Sequence, residues 1–346
     1  MAQSGLAARR WIHKRMVTSS LNLTTPHTDS YFLGCDWGTS SFRLKLLEWD
    51  SGKTLVEISN AAGIKELYKQ WSEYRGTLSR IDFYRSFLND QISELSKQTE
   101  KDLASLPLVL SGMGSSSIGM KELSYTQLPI SLSKPKLNVE FIKKTRQFSY
   151  DIYLISGVCS SKDVMRGEET QLLGIASKLN IETGCFLLTG THSKHVFVKE
   201  NFITAFKTYM TGELFDLISS KSILSNSVEK GEVLNPEQSF KKGIKLAQEE
   251  NLLHSLFTIR ANDLLNSSEP TDNYDFLSGL LIGTELNELC ISQTENIVLW
   301  GDSQLTLYYK TALDVLGLDY IIPELNPQED ITSAGQRIIL NQMIND

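Results

Sequence analysis

Hydrophobic positions recur along this chain with two periods, and the places where one gives way to the other mark its elements. Tyr31 to Cys35 is a short apolar run that ends in Asp36, breaks at Trp37-Gly38-Thr39-Ser40-Ser41 and resumes as Phe42, Leu44, Leu46. That pattern reads as strand, tight turn, strand, with a carboxylate held at the turn. Asp50-Ser51-Gly52 turns a second hairpin into Lys53 to Ile58, so strand signals run from Tyr31 to Ser59. A helical stretch over roughly Lys65 to Lys101 follows, then the apolar strand Leu106 to Leu110 leading into SGMGSSSIGMK. Asp151 to Ser156 predicts a strand and Met165 to Leu179 a helix. After Gly184, CFLLTGTHSKHVFVKE predicts a new hairpin. Beyond it the pattern predicts helices over Ala205 to Ser222, Pro236 to Glu250 and around Leu277 to Leu289, a strand over Asn296 to Trp300, and a helix from Ser303 to Leu316 stopped by Gly317. Asn235-Pro236 is a favourable helix start, a cap followed by proline at the first helical position.

Strands and helices alternate in both halves, so the fold class is α/β. The halves also echo each other: Gly38-Thr39-Ser40-Ser41 and Gly190-Thr191-His192-Ser193 each follow an apolar strand and continue into alternating apolar residues. Two such units predict a duplicated fold with a cleft between its halves.

Length and charge narrow the function. At 346 residues the chain is expected to form about two domains. The net charge is −7, although residues 1–28 carry Arg9, Arg10, Lys14 and Arg15 and no acid. The acidic remainder has no electrostatic footprint for nucleic acid. No apolar run approaches the roughly 18 to 20 residues that a membrane helix needs. The four cysteines are far apart and lie mostly in or beside apolar runs, which predicts a reducing, cytoplasmic setting without disulfides. Residues 1–29 read as a basic, disordered tail, with Met16 an alternative start; their composition is also that of an organellar transit peptide.

The chemistry of an anion site then falls to local groups. Glycine lets the backbone approach a ligand, turn N–H groups form an anion nest, and Thr and Ser add donors. Two facing turns of this kind suit a polyphosphate, and Asp36 at the first suits Mg2+. Other nucleotide motifs fail: Gly114 to Lys121 has its lysine one place late for a P-loop, and Ser117 stands where a dinucleotide fingerprint needs its third glycine. His192 and His195 have helix-face spacing but fall in a predicted hairpin with no third metal ligand nearby. In DVMRGEETQLLG, Glu168 and Glu169 read either as acids favoured in a helix's first turn or as a general base.

These residues resemble a known pattern. DWGTSSFR is similar to the first phosphate-binding turn, and TGTHSK to the second, of the actin-like ATPase superfamily. CDWGTSSFRLKLLE, SGMGSSSIG, DVMRGEETQLLGI, LLTGTHSKHV, FKTYMTGELFDLISSKSIL, FLSGLLIGTEL and WGDSQLTLYYKTALDVLG resemble, in order and spacing, the 2-dehydro-3-deoxygalactonokinase family from about residue 31 to about residue 340. The resemblance implies a two-domain actin-like ATPase (ribonuclease H-like) fold with an interdomain cleft, a sugar-binding and first-phosphate domain over 30–180 and a nucleotide-binding domain over 181–346. It implies an ATP- and Mg2+-dependent kinase acting on the 6-hydroxyl of 2-dehydro-3-deoxy-D-galactonate or a related keto-deoxy sugar acid. Asp36, Gly38, Thr39 and Ser40 would meet metal and phosphates, Gly190, Thr191 and Ser193 would oppose them, and Gly301, Asp302 and Gln304 would lie near the adenosine. Glu168, with Glu169 as the alternative, would be the catalytic carboxylate, and Arg43, Gly112, Met113, Ser115, Ser117 and Arg166 would face the sugar acid. The expected partners are small molecules, with no nucleic acid and no membrane; a homodimer stays open.

The chain departs from the family where GMGSSSIGMKELSY stands in place of GMIGSRQGWVEAPY: Ser117 replaces Arg, Ile118 replaces Gln, Met120 replaces Trp, and His195 replaces the Trp after GTHSK. A carboxylate is best held by a guanidinium, so Ser117 opens an alternative, a nucleotide-binding member with altered sugar specificity or lost catalysis.

Overall fold

The computed structural model describes residues 31–179, 181–231, 238–266, 268–291, 296–324 and 330–345. The expectations for residues 1–29 and for the helix start at Asn235-Pro236 lie outside them. Strands β1 (Tyr31–Trp37), β2 (Phe42–Glu48) and β3 (Thr54–Asn60) form an antiparallel meander, followed by helices α1 (Ile64–Glu73) and α2 (Arg80–Ser96). Strand β4 (Leu108–Gly112) then joins parallel to β1. Short strands β5 (Thr126–Gln127) and β6 (Ile130–Ser131) precede β7 (Val139–Ile142) and β8 (Ile152–Ile155), which complete a sheet of order β3-β2-β1-β4-β8-β7. Strands β9 (Val158–Cys159) and β10 (Val164–Met165) form a small sheet with β5 and lead into α3 (Glu168–Ala176).

The second half repeats the scheme. Strands β11 (Gly184–Leu188), β12 (Ser193–Lys199) and β13 (Phe202–Tyr209) form the meander, followed by α4 (Thr211–Lys221), α5 (Gln238–Glu249), α6 (Leu252–Asn266) and α7 (Pro270–Ile291). Strand β14 (Ile297–Trp300) runs parallel to β11, then come α8 (Ser303–Leu316), β15 (Tyr320–Ile321) parallel to β14, and α9 (Ile331–Asn345). The order β15-β14-β11-β12-β13 mirrors β8-β4-β1-β2-β3, so the faint repeat in the sequence is a duplication of topology. β6 pairs with the edge of the second sheet, stitching the halves together.

β1 is buried on both faces, which is why its residues read as a nearly continuous apolar run. Leu33, Cys35 and Trp37 enter the core beneath α1 and α2, and Phe32 packs into a separate cluster with Ile339 and Leu340 of α9. α9 returns from the end of the chain to cross α3 at backbone distance: a Cβ on Gly174 would sit 2.0 Å from the Ile331 carbonyl oxygen, and one on Gly335 1.9 Å from that of Thr170. Gln336 of α9 donates from Nε2 to the Cys35 carbonyl (2.8 Å) and to Ser111 Oγ (2.9 Å), tying it to β1 and β4 just before their ends.

Several boundaries differ from the sequence pattern. The helical stretch over 65–101 is two helices, broken over 74–79, where Gly76 interrupts the pattern. The helix expected from Ala205 begins only at Thr211, because residues 202–209 form β13. FITAFKTY carries the period of two and the β-branched and aromatic residues of a strand, and Ala205 obscures that signal. The helix around Leu277 to Leu289 is longer, and α6 and α9 were not anticipated.

Candidate active site

The first lip of the cleft is the turn after β1. Gly38 donates to the Ser41 carbonyl (2.9 Å), while Ile64 N–H donates to the Gly38 carbonyl (3.0 Å) and Lys65 N–H to that of Thr39 (3.1 Å). The N-terminus of α1 therefore fixes the turn from below, and Thr39 and Ser40 stand exposed at its tip. Asp36 sits opposite Arg43 in the hairpin register and Arg43 Nη1 reaches its Oδ2 at 3.2 Å. Burial raises the Asp36 carboxyl above its ordinary range, against the pull of Arg43. On the same face Lys45, itself buried, pairs with Asp330 (2.7 Å) and Glu57 (3.4 Å).

Glycines bring the next element against Asp36. Gly112 ends β4 at φ 85°, and a Cβ there would lie 2.7 Å from the Trp37 carbonyl oxygen and 3.5 Å from Asp36 Oδ1. Gly167, at φ 106°, would place a Cβ 3.3 Å from Gly112 Cα. Only glycine accepts both the positive φ and the approach, and the result is that α3 starts directly beside the ends of β1 and β4. Its first two residues point in different directions. Glu168 is half-buried, its Oε1 accepting from Lys194 Nζ (2.9 Å) and its Oε2 from Arg166 N–H (2.9 Å). Glu169 is 1% exposed and accepts from Gly167 N–H (2.7 Å) and Thr170 Oγ1 (3.2 Å). Burial, reinforced by the neighbouring Glu168, pushes Glu169 up to about 8, so it keeps its proton at neutral pH.

The loop after Gly112 is held from two sides. Arg166 Nη1 donates to the Ser115 carbonyl (2.8 Å) and hydroxyl (2.5 Å), and its guanidinium lies 4.3 Å from the Tyr125 ring centroid. Arg80, at the start of α2 and stacked over Trp71, donates to the Ser117 carbonyl (2.8 Å). Of the departures in this chain, Ser117 is exposed, whereas Met120 packs into the hydrophobic core and His195 is fully buried. The replacement at 120 is therefore a change of packing, whereas that at 195 sets a buried imidazole against the Glu285 carboxylate. Lys121 pairs with Glu140.

The second lip is the turn between β11 and β12. Thr191 is exposed there, but Ser193 is buried and its hydroxyl meets Tyr309 Oη at 2.7 Å, so the structure turns it away from the opening. A cleft of about 340 Å³ lies between the halves, lined by Asp36, Arg43 and Lys45 on one side and by Thr189, Gly301 and Asp302 on the other. Asp302 caps α8 by accepting from Gln304 N–H (2.9 Å), and the exposed Gln304 lines neither this cleft nor its neighbour. That neighbour, a cavity of about 240 Å³, adjoins Gly190 and Thr191 and is walled by Thr211, Gly212, Asp216, Tyr274 and Tyr308. Sequence reasoning missed this wall; its signal was the Thr211-Gly212 pair that opens α4 directly after β13, hidden when strand and helix are read as one helix. Behind it, Glu285 gathers His195 Nε2 (2.9 Å), Tyr309 Oη (2.7 Å) and the Thr211 hydroxyl.

The profile of the 2-keto-3-deoxy-galactonokinase family matches residues 36–339. The chain belongs to this family. Within it, the protein is 32% identical over 301 residues to the Rhizobium meliloti (strain 1021) protein described as 2-dehydro-3-deoxygalactonokinase DgoK1, covering 84% of this chain and 92% of that one. It is 31% identical over 220 residues to the 2-dehydro-3-deoxygalactonokinase of Escherichia coli (strain K12), covering 62% and 72%. A crystal structure from Sinorhizobium meliloti, assigned to the same activity, superposes with a TM-score of 0.76 at 29% identity, covering 90% of this chain and 96% of that one. The 2-keto-3-deoxy-galactonokinase family is one of carbohydrate kinases, and the duplicated sheets are its two-domain, actin-like fold. Among the described residues, no helix is long and apolar enough to cross a membrane.

Proposed function

We propose that the protein transfers the γ-phosphoryl group of ATP to the 6-hydroxyl of 2-dehydro-3-deoxy-D-galactonate in the cytoplasm, with Glu168 as general base. The observation that carries this reading is the convergence of Asp36, Gly112, Gly167 and Glu168, which sets a carboxylate suited to a metal beside one suited to a proton, next to a polar cleft. The nucleoside belongs in the 240 Å³ cavity, where Tyr274 and Tyr308 offer aromatic surface and Asp216 an acceptor. The phosphates then lie between the turn of Gly38, Thr39 and Ser40 and that of Gly190 and Thr191, with Gly301 and Asp302 on the wall behind.

The residues present fit Mg2+. Arg43 occupies Oδ2 of Asp36, and an ion held chiefly by phosphate oxygens needs only one or two protein carboxylates. When bound, the metal neutralises charge on the β- and γ-phosphates. The chain's own residues orient the acceptor. Met113 and Ser117 lie on the loop that starts at Gly112, where Ser115, expected to face the sugar, is instead fully buried and holds Arg166 with its hydroxyl, and Arg166 and Arg80 bring guanidinium charge to the loop for the sugar carboxylate. Glu168 takes the hydroxyl proton as the oxygen attacks phosphorus, whereas the proton already on Glu169 disqualifies it as the base.

Coupled ADP release with Mg-ATP tests the reading against a panel of 2-keto-3-deoxy aldonates, neutral hexoses and no sugar. Turnover on the galactonate is expected. Turnover on a different sugar alone would mean that the exposed Ser117 has changed the substrate. Nucleotide binding without turnover on any sugar would mean that catalysis has been lost.

A further inference from the structure

Lys194 joins the two sides of the cleft. It lies in β12, beside the second turn, yet its Nζ reaches Glu168 Oε1 of α3 (2.9 Å) as well as the His192 carbonyl (3.1 Å) in its own turn. The residue is 4% exposed. A buried ammonium must keep a counter-charge, and among the described residues the ion pair formed by Lys194 is with Glu168.

We propose that Lys194 is a catalytic residue shared between the base and the transferring phosphate: it holds Glu168 while the cleft is empty and passes to the γ-phosphoryl oxygens when ATP binds. This rests on the assignment of Glu168 as base. The charge balance of the transfer requires such a move. The acceptor O–H bond breaks and its proton goes to Glu168; the acceptor oxygen bonds to the γ-phosphorus as the bond from that phosphorus to the β-phosphate bridging oxygen breaks, releasing ADP. Glu168 becomes neutral in that step, so an ammonium still bound to it would lose its anion. Negative charge persists meanwhile on the phosphoryl oxygens, a few bonds away, at the turn that carries Lys194. The base is thus freed only when nucleotide is present to receive the lysine, which discourages contact between Glu168 and the acceptor before ATP arrives.

Calorimetric titration of ADP and of a non-hydrolysable ATP analogue into wild type, Lys194→Met, Lys194→Arg and Glu168→Gln, with steady-state kinetics alongside, tests the proposal. Lys194→Met should weaken the analogue about 10-fold and leave ADP within about 2-fold, because ADP has no γ-phosphate, while kcat falls about 10²-fold or more. Lys194→Arg should restore part of both. Glu168→Gln should abolish turnover and tighten the analogue several-fold, since no ion pair then has to be broken. Equal losses for ADP and analogue in Lys194→Met, or unchanged analogue affinity in Glu168→Gln, would overturn the shared role while leaving Glu168 as base. Full turnover in Glu168→Gln would instead remove the assignment of the base, and the proposal with it.

Discussion

Thr39 and Ser40 stand exposed on the first turn, whereas on the second unit Ser193 and His195 are fully buried and bonded to Tyr309 and Glu285. The two units share one topology, β3-β2-β1-β4 against β13-β12-β11-β14, but have diverged in what their polar side chains do. The first exposes Thr39 and Ser40 and rests on backbone bonds from α1. The second exposes Thr191 in the same way and takes a backbone bond from Glu213 N–H of α4 to the Thr191 carbonyl (3.2 Å), but it adds an inward pair, Ser193 and His195, behind the wall of the 240 Å³ cavity. Duplication of a fold therefore conserves how the tip of a turn is held more readily than what stands behind it.

The contrast can be broken at its strongest point first. Glu285→Ala leaves the buried His195 and Tyr309 and the half-buried Thr211 without the carboxylate they share, and should cost about 3 kcal/mol of stability in chemical denaturation. A loss below about 1 kcal/mol would mean that the second unit is not braced in this way. On the first unit, Asp36→Asn should leave folding intact and lower kcat about 10²-fold or more, read by coupled ADP release. Comparable losses of stability in the two variants would erase the difference between the lips.

A smaller effect separates the neighbouring carboxylates. The pKa of Glu169 is raised from 4.5 to about 8 by burial and by the adjacent Glu168, so the folded protein retains a proton that the unfolded chain releases. Its contribution is complete below about pH 4.5 and is lost as pH rises through 8. Glu169→Gln should flatten the fall in melting temperature between pH 5 and 8; an unchanged slope would count against the raised pKa. Smallest of all is Arg43→Ala, expected to alter stability by about 0–1 kcal/mol, because the Arg43–Asp36 pair is partly open to water.

Much of the cleft was legible in the sequence because its parts are local. A glycine with hydroxyls between two short apolar runs reads as an anion-binding turn from a dozen residues, and a pair of acids after Arg166-Gly167 reads as a helix's first turn or a general base. The orientations of those acids were not legible. Glu168 and Glu169 are adjacent letters, but one residue of helix rotates a side chain by about 100°, which sends one to Lys194 and the other into the interior. The wall of the 240 Å³ cavity was hidden for another reason: Thr211, Tyr274 and Tyr308 come from three helices far apart in the chain, and no local period links them. Ser193 was read from its place beside a turn, yet strand alternation directs it inward to Tyr309.

The crossing of α3 and α9 has a mechanical meaning. Two helices that meet backbone to backbone at Gly174 and Gly335, flanked by the packed side chains of Leu172, Ile175 and Ile331, leave no room at that point for even a methyl group. Thr170, whose carbonyl forms part of that contact, is two residues from Glu168. A side chain at either glycine would therefore wedge the two helices apart and carry the start of α3, with Gly167 and Glu168, away from the ends of β1 and β4.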